Sequence, residues 1–536
     1  MFLKRCSFIV VLLALVTVGT TFAQEETVQT YSGYIDSEVT VKEYPIDLLE
    51  GQAVLITAEA TSGDLDPMIY LLGPSGSIVA SNDDRSSDTY DSALGYVAAE
   101  SGKHILQMTR YEGSDTSGNY RLTITIGDES ILAELDNLTR IQLSGTPQTL
   151  DTPHFRIHYT FEGVDAVTES YLEAVALTVE EVWSIEIEQM GWPAPPTDGV
   201  LGGDGRYDVY LVDLIGAGEG ALGYASPESI VGDNPNTPEV VEEYAGVSYL
   251  AVENDFDDVS GGTAISLMRA TFAHEFHHAI QFGYDVNDEH DWYYEATATW
   301  METAAVTKDE DGTGYVSYTF EYPELCFGTE NDPGDGQMMY GEWLFIQMLV
   351  DMYGNDVLYE LWANIGKYEG FEALEHTLDA YGATIPFVLA NYRIKNLARD
   401  YALAPEFDAT VWLENTITDV GRWTFTGQGI QELGANYYRV DVEPAVYYAG
   451  MVNDGGALEL WAIGVTFEKV EATPLGRGGN FDTSKYEDVY LLVFNPRYGD
   501  IDDCTYYDYD IDLTTAKGVP GEPLISFPAT YYERLR

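Results

Sequence analysis

The sequence predicts a multidomain fold in which an amino-terminal β-sandwich and a carboxy-terminal β-sandwich lie on either side of a central α+β domain. The chain has 536 residues, which is too long for a single core at about 150 residues per domain. Short β-type runs separated by turn residues occupy residues 30–127 and return in residues 409–536. Residues 151–405 begin with strands and continue as a series of helical segments, which is typical of an α+β domain.

The first 23 residues have the pattern of a secretory signal peptide. Lys4 and Arg5 precede a short apolar run at residues 8–18, and Ala23 ends the segment before a polar stretch. The apolar run is shorter than a comfortable membrane-spanning helix, and no later run is long and apolar enough to span a bilayer. We therefore expect a secreted, extracellular protein from which residues 1–23 are removed.

The charge of the chain excludes two classes of partner. Lys and Arg total 25 against 90 Asp and Glu, which gives a formal net charge of −65. Such a surface repels phosphate backbones and anionic lipid head groups, so neither nucleic acid nor a membrane is an expected partner. The hydrophobic fraction of 45% is too high for a disordered chain, so the acidic residues indicate a solvated surface on folded domains.

Two further features are left open by the sequence. The turn that contains Asn82, Asp83, Asp84 and Asp91 is a candidate for calcium, although its spacing is not that of an EF-hand and a turn without an ion is favoured. Cys326 and Cys504 are the cysteines that remain beyond the signal peptide. They could pair in an oxidising compartment, but two cysteines do not make a disulfide framework.

Residues 30–127 contain a series of short turn and strand motifs in a characteristic order. They are Leu49-Glu50-Gly51-Gln52, Leu65-Asp66-Pro67, Gly73-Pro74-Ser75-Gly76, Asn82-Asp83-Asp84, Ser101-Gly102 and Gly118-Asn119-Tyr120. In this series the region resembles the bacterial pre-peptidase C-terminal domain, and His104 stands where that family usually has an aromatic residue. The resemblance implies a non-catalytic β-sandwich that accompanies secreted peptidases. Residues 128–150 are predicted to form a polar linker with one short helix.

The most informative segment contains His-Glu-x-x-His at His274, Glu275 and His278. Apolar residues recur at helical spacing around it, and the two histidines lie one turn apart on nearly the opposite face of that helix. Two imidazoles in this arrangement can share one zinc ion at about 2.0–2.1 Å each. Glu275 lies beside them and suits a general base that acts on a water held by the metal. We interpret His277 as a structural residue or as a partner of the ligands.

A catalytic zinc ion generally needs a third protein ligand, which the sequence places on the next predicted helix. Gln281 and Tyr284 occupy the positions where a metzincin has a glycine and a third histidine, so that class is excluded. Glu295 and Glu302 are the candidates, and they lie two helical turns apart on one face. Small residues follow Glu295, so it is the preferred ligand. Glu302 is the runner-up and is better placed to hydrogen-bond a ligand or to cap the cleft wall.

Residues 150–400 resemble secreted bacterial gluzincin metallopeptidases. The resemblance depends on the zinc helix and the Glu295 helix, supported by the three motifs His154-Phe155-Arg156-Ile157-His158-Tyr159, Gly205-Arg206-Tyr207-Asp208-Val209-Tyr210 and Tyr340-Gly341-Glu342-Trp343-Leu344-Phe345. It implies a zincin-like catalytic domain with Glu295 as the third ligand. Thr299 departs from the thermolysin-like pattern, which has an aspartate there to orient a ligand histidine.

The remaining candidate is Tyr340, whose phenol could donate to the oxyanion of a tetrahedral intermediate. Packing at a helix start is the favoured interpretation, because tyrosine is abundant in this chain, with 40 residues. The zincin-type layout also places an edge strand above the active-site helix, and residues 247–253 are predicted to form it because they lie shortly before that helix.

These patterns predict a secreted zinc-dependent endopeptidase that acts on protein or peptide substrates, with catalytic Glu275 and Tyr340 and metal ligands His274, His278 and Glu295. Two alternatives stay open. One is a non-catalytic extracellular binding protein that retains a zinc site. The other is a zinc hydrolase of non-peptide amides or esters, because one water-activating site can serve several chemistries.

Overall fold

A computed structural model gives the fold of most of the chain. The ranges that it describes are residues 26–86, 89–111, 114–218, 220–257, 259, 262–306, 312–334, 336–424, 429–456, 458–499, 501 and 504–533. The predicted signal peptide, residues 1–23, lies outside the described residues.

The amino-terminal region is built from eight strands in two antiparallel layers. One layer has the order β1-β8-β3-β6, and the other contains β2-β7-β4-β5. Alternating apolar residues such as Ile69, Leu71, Leu106 and Met108 fill the space between the layers and are buried. The strands are β1 (Thr27–Ile35), β2 (Lys42–Leu48), β3 (Ala53–Gly63), β4 (Pro67–Leu72), β5 (Ile78–Asn82), β6 (Ser92–Val97), β7 (Gly102–Arg110) and β8 (Gly118–Gly127).

A short helical segment connects this region to the central sheet. The elements are α1 (Ala133–Thr139), β9 (Gln148–Asp151), β10 (Phe155–Tyr159), α2 (Glu169–Trp183), β11 (Tyr207–Val212), α3 (Leu214–Ala217), β12 (Gly223–Gly232) and β13 (Ala245–Glu253). A π-helix, Ser184–Met190, continues α2. Strands β12, β13, β11, β10 and β9 form a sheet that joins the amino-terminal layer through one antiparallel bridge between Ile230 and Ser81.

In the described part of the chain, eight α-helices follow the central sheet. Their apolar faces, together with one face of the sheet, form the largest core of the protein, which includes Trp292, Trp343 and Trp362. They are α4 (Ala264–Phe282), α5 (Trp292–Val306), α6 (Val316–Glu321), α7 (Gln337–Gly341), α8 (Trp343–Tyr353), α9 (Asp356–Ile365), α10 (Gly370–Ala380) and α11 (Ile385–Ala398).

The carboxy-terminal region consists of two further sheets, with the orders β14-β16-β21-β18-β19-β23 and β15-β22-β17-β20. Residues of both sheets, among them Tyr438, Leu491, Ala449 and Ile511, share one buried cluster. The strands are β14 (Leu413–Ile417), β15 (Gly421–Thr424), β16 (Ala435–Val440), β17 (Val446–Val452), β18 (Glu459–Val465), β19 (Lys469–Gly476), β20 (Gly478–Asp482), β21 (Asp488–Phe494), β22 (Asp510–Thr515) and β23 (Ile525–Pro528).

The architecture agrees with the sequence in its coarse features. The chain is a mixture of helices and several β-sheets, and its amino-terminal sheets fit a β-sandwich. The domain boundaries proposed from composition stay predictions. Within the described ranges, no helix combines the length and the apolarity that crossing a membrane requires.

The predicted edge strand is wrong. Residues 247–253 fall in β13, which pairs with β11 on one side and with β12 on the other and is therefore an interior strand. Every residue of β13 is buried, which agrees with its mostly apolar sequence. Within the described part of the chain, the strand with a largely unpaired edge is β12, because a single bridge joins it to β5. Sequence reasoning did not identify this strand. Its residues Gly223, Ser226, Pro227 and Glu228 have low strand propensity.

A disulfide joins Cys326 and Cys504 and thereby closes a loop with a sequence separation of 178 residues. Cys326 follows α6 in the helical region, and Cys504 lies in the carboxy-terminal region, where its carbonyl accepts from Gln431 Nε2 at 3.4 Å. The bond therefore ties these two parts of the chain together in the folded state and restricts the unfolded ensemble.

Removal of this disulfide is expected to destabilise the protein. We predict that Cys326→Ala, Cys504→Ala and the double variant each lose about 2–5 kcal/mol of unfolding free energy, because either substitution removes the same loop constraint. Denaturant titration of the oxidised protein and of the variants measures this loss. A reductant should affect only the wild type, and equal stability of reduced and oxidised wild type would contradict the prediction.

Candidate metal centre

Helix α4 carries the two histidines, and its start is fixed by a capping box. Thr263 Oγ1 accepts from Ser266 N at 3.1 Å, while Ser266 Oγ accepts from Thr263 N at 2.8 Å. The helix then packs between the central sheet and α5, so that His274 and His278 are only 8% and 7% exposed. Their rings lie 4.7 Å apart between centroids, as expected for residues one turn apart.

Helix α5 brings the predicted third ligand to the histidines. Glu295 Oε2 lies 3.2 Å from His274 Nε2 and 3.7 Å from His278 Nε2. One ligand atom from each of these three residues lies within 4.8 Å of the other two. Two imidazole nitrogens and one carboxylate oxygen are a donor set that zinc accepts at catalytic sites. The side chains present therefore fit a zinc ion.

The other ring nitrogens of the two histidines are held by hydrogen bonds. Glu302 Oε1 lies 2.8 Å from His274 Nδ1, which is the role foreseen for the runner-up glutamate. Gln281 Oε1 lies 2.7 Å from His278 Nδ1, and Gln281 Nε2 donates to the carbonyl of Tyr294 at 3.0 Å. Both Nδ1 atoms are thus engaged, which leaves both Nε2 atoms directed toward Glu295.

Gln281 is the residue of the centre that sequence reasoning missed as a functional group. In the sequence it serves only to exclude a metzincin, yet it is 0% exposed and fixes the orientation of His278. The available signal was its position three residues after His278 on the same helix, where side chains meet. Thr299, the departure from the thermolysin-like pattern, is buried on α5, and Glu302 rather than residue 299 contacts His274.

Glu275 on α4 faces strand β12. Burial raises the pKa of its carboxyl group, and the neighbouring His274 and His278 and a hydrogen bond from the backbone of Ala225 offset part of that rise. A Cβ atom at Gly223 would approach Glu275 Cγ to 3.0 Å and Thr271 Cγ2 to 2.7 Å. A glycine at this position therefore gives the strand room to pass close to the Glu275 side chain.

The charges of the centre are coupled. Burial alone would raise the pKa of Glu295, but His278 and His274 lower it well below its usual range. Burial alone would lower the pKa of His274, but its bonds to Glu295 and Glu302 raise it well above its usual value. The Glu295 carboxylate thus stays charged and is compensated by a cation, either a protonated imidazole or a metal ion.

Tyr340 on α7 lies against the centre. Its ring is stacked on that of His274 at 5.9 Å and is tilted against Tyr315 at 5.0 Å. Burial, the charge of Glu295 and a hydrogen bond to Glu295 raise the pKa of Tyr340 far above its usual value. The phenol therefore stays protonated and can act as a donor near the ligands, as well as packing against them.

His277 faces away from the centre. Its Nδ1 lies 3.0 Å from Glu186 Oε2, and its ring contacts Trp192 at 5.0 Å between centroids. Both His277 and Glu186 are fully buried. Burial lowers the pKa of His277 and raises the pKa of Glu186, so the pair is uncharged. It is a structural contact between α4 and the π-helix after α2.

The calcium candidate in the amino-terminal region is not assembled into a group of three acidic ligands. Among the described residues, the groups of three His, Cys, Asp or Glu side chains close enough to share an ion are His274-His278-Glu295 and Cys326-Glu432-Cys504, and the second contains the disulfide. Asn82 instead donates to the carbonyls of Asp84 and Glu228, at 3.0 Å and 3.1 Å. Asp91 pairs with Arg85 at 3.3 Å.

No protein-family model matches the chain, and no curated protein matches its sequence. Solved structures give distant likenesses that include metallopeptidases. A pre-peptidase C-terminal domain of collagenase from Bacillus anthracis is 16% identical over 18% of this chain and 87% of that chain, with a TM-score of 0.16. An aminopeptidase N family protein from Idiomarina loihiensis is 8% identical over 89% of this chain and 95% of that chain, with a TM-score of 0.27.

The IMPa metallopeptidase in complex with T-antigen is 9% identical over 67% of this chain and 45% of that chain, with a TM-score of 0.19. Likenesses this distant carry no argument about the activity of the chain.

The two glutamates of α5 are expected to differ in their effect on zinc. We predict that Glu295→Ala loses nearly all bound metal, whereas Glu302→Ala keeps it at micromolar zinc with an affinity about 10–100-fold weaker. Metal stoichiometry and competition with a chelator measure both values. Glu289→Ala is the matched control, because Glu289 precedes α5 and its side chain is 67% exposed. The reverse order for Glu295 and Glu302 would show that the third ligand is wrong.

Proposed function

We propose that this chain is a secreted zinc-dependent peptidase that hydrolyses internal peptide bonds of protein or peptide substrates. The observation that carries the proposal is the position of Glu275 beside the His274-His278-Glu295 donor set and beneath the exposed edge of β12. A purely structural zinc site has no need of a buried carboxylate at this position. The resemblance of the amino-terminal region to a module of secreted peptidases is consistent with the proposal.

When bound, zinc supplies Lewis-acid activation of a water molecule and of the scissile carbonyl group. Glu275 accepts one proton from the attacking water and transfers it to the nitrogen of the leaving amine. The water oxygen bonds to the acyl carbon while the carbon–nitrogen bond breaks, so the products are a carboxylic acid and an amine. Tyr340 can donate its phenolic hydrogen to the oxygen of the former carbonyl.

The edge of β12 is positioned to hold the substrate backbone. Leu222 O accepts from Glu253 N at 2.9 Å, so the antiparallel alternation turns every second residue from Leu222 toward β13. Gly223 and Ala225 consequently turn their backbone N–H and carbonyl groups outward, where the Ala225 N–H donates to Glu275. Pro227, which has no N–H, turns only its carbonyl outward. An extended peptide that pairs with this edge by β-augmentation would pass directly beside the general base.

The general base gives the decisive test. We predict that Glu275→Gln retains zinc and the native unfolding transition but lowers kcat on an unfolded protein substrate by about 10²–10⁴-fold. A chelator should abolish wild-type cleavage, and added zinc should restore it. Full activity of zinc-loaded Glu275→Gln would remove Glu275 from the mechanism. No cleavage by zinc-loaded wild type would favour a binding protein or a hydrolase of non-peptide amides or esters.

Tyr340 allows a second test. If its phenol stabilises the oxyanion, Tyr340→Phe lowers kcat by about 10²-fold and leaves the zinc stoichiometry and KM close to wild type. The substitution retains the ring that packs against His274, so loss of packing is a minor effect. A kcat within about twofold of wild type would assign Tyr340 to packing alone, since truncation of the hydroxyl then removes no transition-state contact.

A further inference from the structure

The exposed edge of β12 ends at the amino-terminal sandwich. Strand β12 pairs with β13 from Gly223 to Gly232, and along its other edge a single backbone bridge among the described residues, between Ile230 and Ser81, joins it to β5. From Gly223 to Glu228, no described strand covers this edge. Asn82 Nδ2 then donates to the carbonyl of Glu228 at 3.1 Å. The sandwich thus occupies the position that a paired peptide would otherwise continue into.

Asn82, where the sandwich blocks the edge of β12, lies close to the candidate metal centre. Ala225 hydrogen-bonds Glu275, and Glu228 is three residues further along β12. At about 3.3 Å per residue in a strand, this distance is roughly 10 Å. A peptide that runs along β12 from the general base therefore meets Asn82 after about three residues.

The obstructing segment is held in place from several sides. Asn82 is 9% exposed, and its side chain also bonds Asp84 O at 3.0 Å and Ala93 N at 2.8 Å. On the β12 side, Arg140 Nη2 donates to Glu228 Oε2 at 2.6 Å. Arg140 Nη1 also donates to Asp208 Oδ2 at 2.6 Å, so the linker fixes β12 to the central sheet. Displacing the sandwich would expose these buried polar groups, which is costly.

The acidic residues beside the Glu228 end of the β12 edge indicate which terminus of a bound peptide lies there. Asp83 and Asp84 follow Asn82, and Arg85 is already paired with Asp91. Asp83, Asp84 and Arg85 line a cavity of about 1220 Å³ between the sandwich and β12, as do Tyr224 and Ser226. Ser81 lines the same cavity and is 2% exposed, and its Oγ has no hydrogen-bond partner among the described residues.

Acidic groups attract the ammonium group of a peptide amino terminus and repel a carboxy-terminal carboxylate. A peptide with its amino terminus at this end would run antiparallel to β12, as β5 does. Antiparallel pairing is also the slightly more stable arrangement for a strand added to an edge.

We propose that the amino-terminal sandwich closes the cleft on the amino-terminal side of the scissile bond, so that the protein accepts about three residues there and releases short amino-terminal peptides. This inference rests on the peptidase activity proposed above and narrows it from cleavage at any internal bond to cleavage near a free amino terminus. The sandwich is then a part of the substrate site and sets its length.

The inference is tested with two matched peptide series built around one scissile bond, which is first mapped by mass spectrometry of digested unfolded protein. One series extends the amino-terminal side from one to eight residues, and the other extends the carboxy-terminal side equally. We expect kcat/KM to fall at least about tenfold once more than four residues precede the bond, because the near-attack geometry is lost. Carboxy-terminal extension should change it less than about threefold.

The charge of the peptide amino terminus gives an independent test. Acetylation of the best peptide should reduce kcat/KM by up to about fivefold, as expected for an exposed ion pair, and Asp83→Asn should remove most of this preference. Asp115→Asn is the matched control, because Asp115 is a fully exposed carboxylate of the same sandwich. Zinc-loaded Glu275→Gln provides a readout without turnover, since its affinity for each peptide, measured by fluorescence anisotropy, should show the same length limit.

The outcomes separate the two proposals. Equal cleavage of peptides with three and eight residues before the bond, or equal binding of both to Glu275→Gln, would reject the length limit and leave the peptidase assignment intact. Loss of activity on carboxy-terminal rather than amino-terminal extension would reject the direction. No cleavage of any peptide by the zinc-loaded wild type would reject the proposed function, and the length limit with it.

Discussion

The contact on which the candidate centre depends is the placement of the Glu295 carboxylate between two buried imidazoles. Glu295 reaches both His274 and His278 while Glu275 and Glu302 lie beside the same pair, so three carboxylates share two bases. Buried charges of one sign are costly unless cations compensate them. Without metal, protonation of His274 supplies this compensation. Zinc can replace that proton with a larger charge, so metal binding and proton release are linked in this centre.

A second histidine–glutamate pair on the same helix shows how strongly position determines chemistry. His277 and Glu186 also lie within hydrogen-bonding distance, yet they face the core and are both uncharged. Burial outweighs the attraction of the nearby His274 for Glu186, so neutral forms are favoured over an ion pair. One turn of α4 therefore presents a charged, ligand-like face toward α5 and a neutral structural contact toward the π-helix after α2.

The sequence predicts those parts of the centre that lie close together along the chain. His274 and His278 lie one turn apart on one helix, and Glu275 is adjacent to His274. Glu295 and Glu302 face one side of the next helix, so helical geometry alone predicts how these side chains are grouped. It does not predict contacts set by tertiary structure. Glu186, Arg140 and β12 come from distant segments, and β12 lacks a strand-like composition. The error over residues 247–253 has the same origin, because an apolar run indicates a buried strand and therefore an interior one.

The junction between the sandwich and the central sheet gives the amino-terminal region a structural role that its resemblance to a separate module does not imply. A single backbone bridge joins β5 to β12, and it would be weak alone. Asn82 and Arg140 add hydrogen bonds from the sandwich and from the linker to the same residue, Glu228. Ala225 on the same strand hydrogen-bonds Glu275. Asn82 and Arg140, which lie outside the central sheet, therefore hold β12 three residues away from its contact with Glu275. The sandwich and Glu275 therefore contact the same strand at residues that are three positions apart.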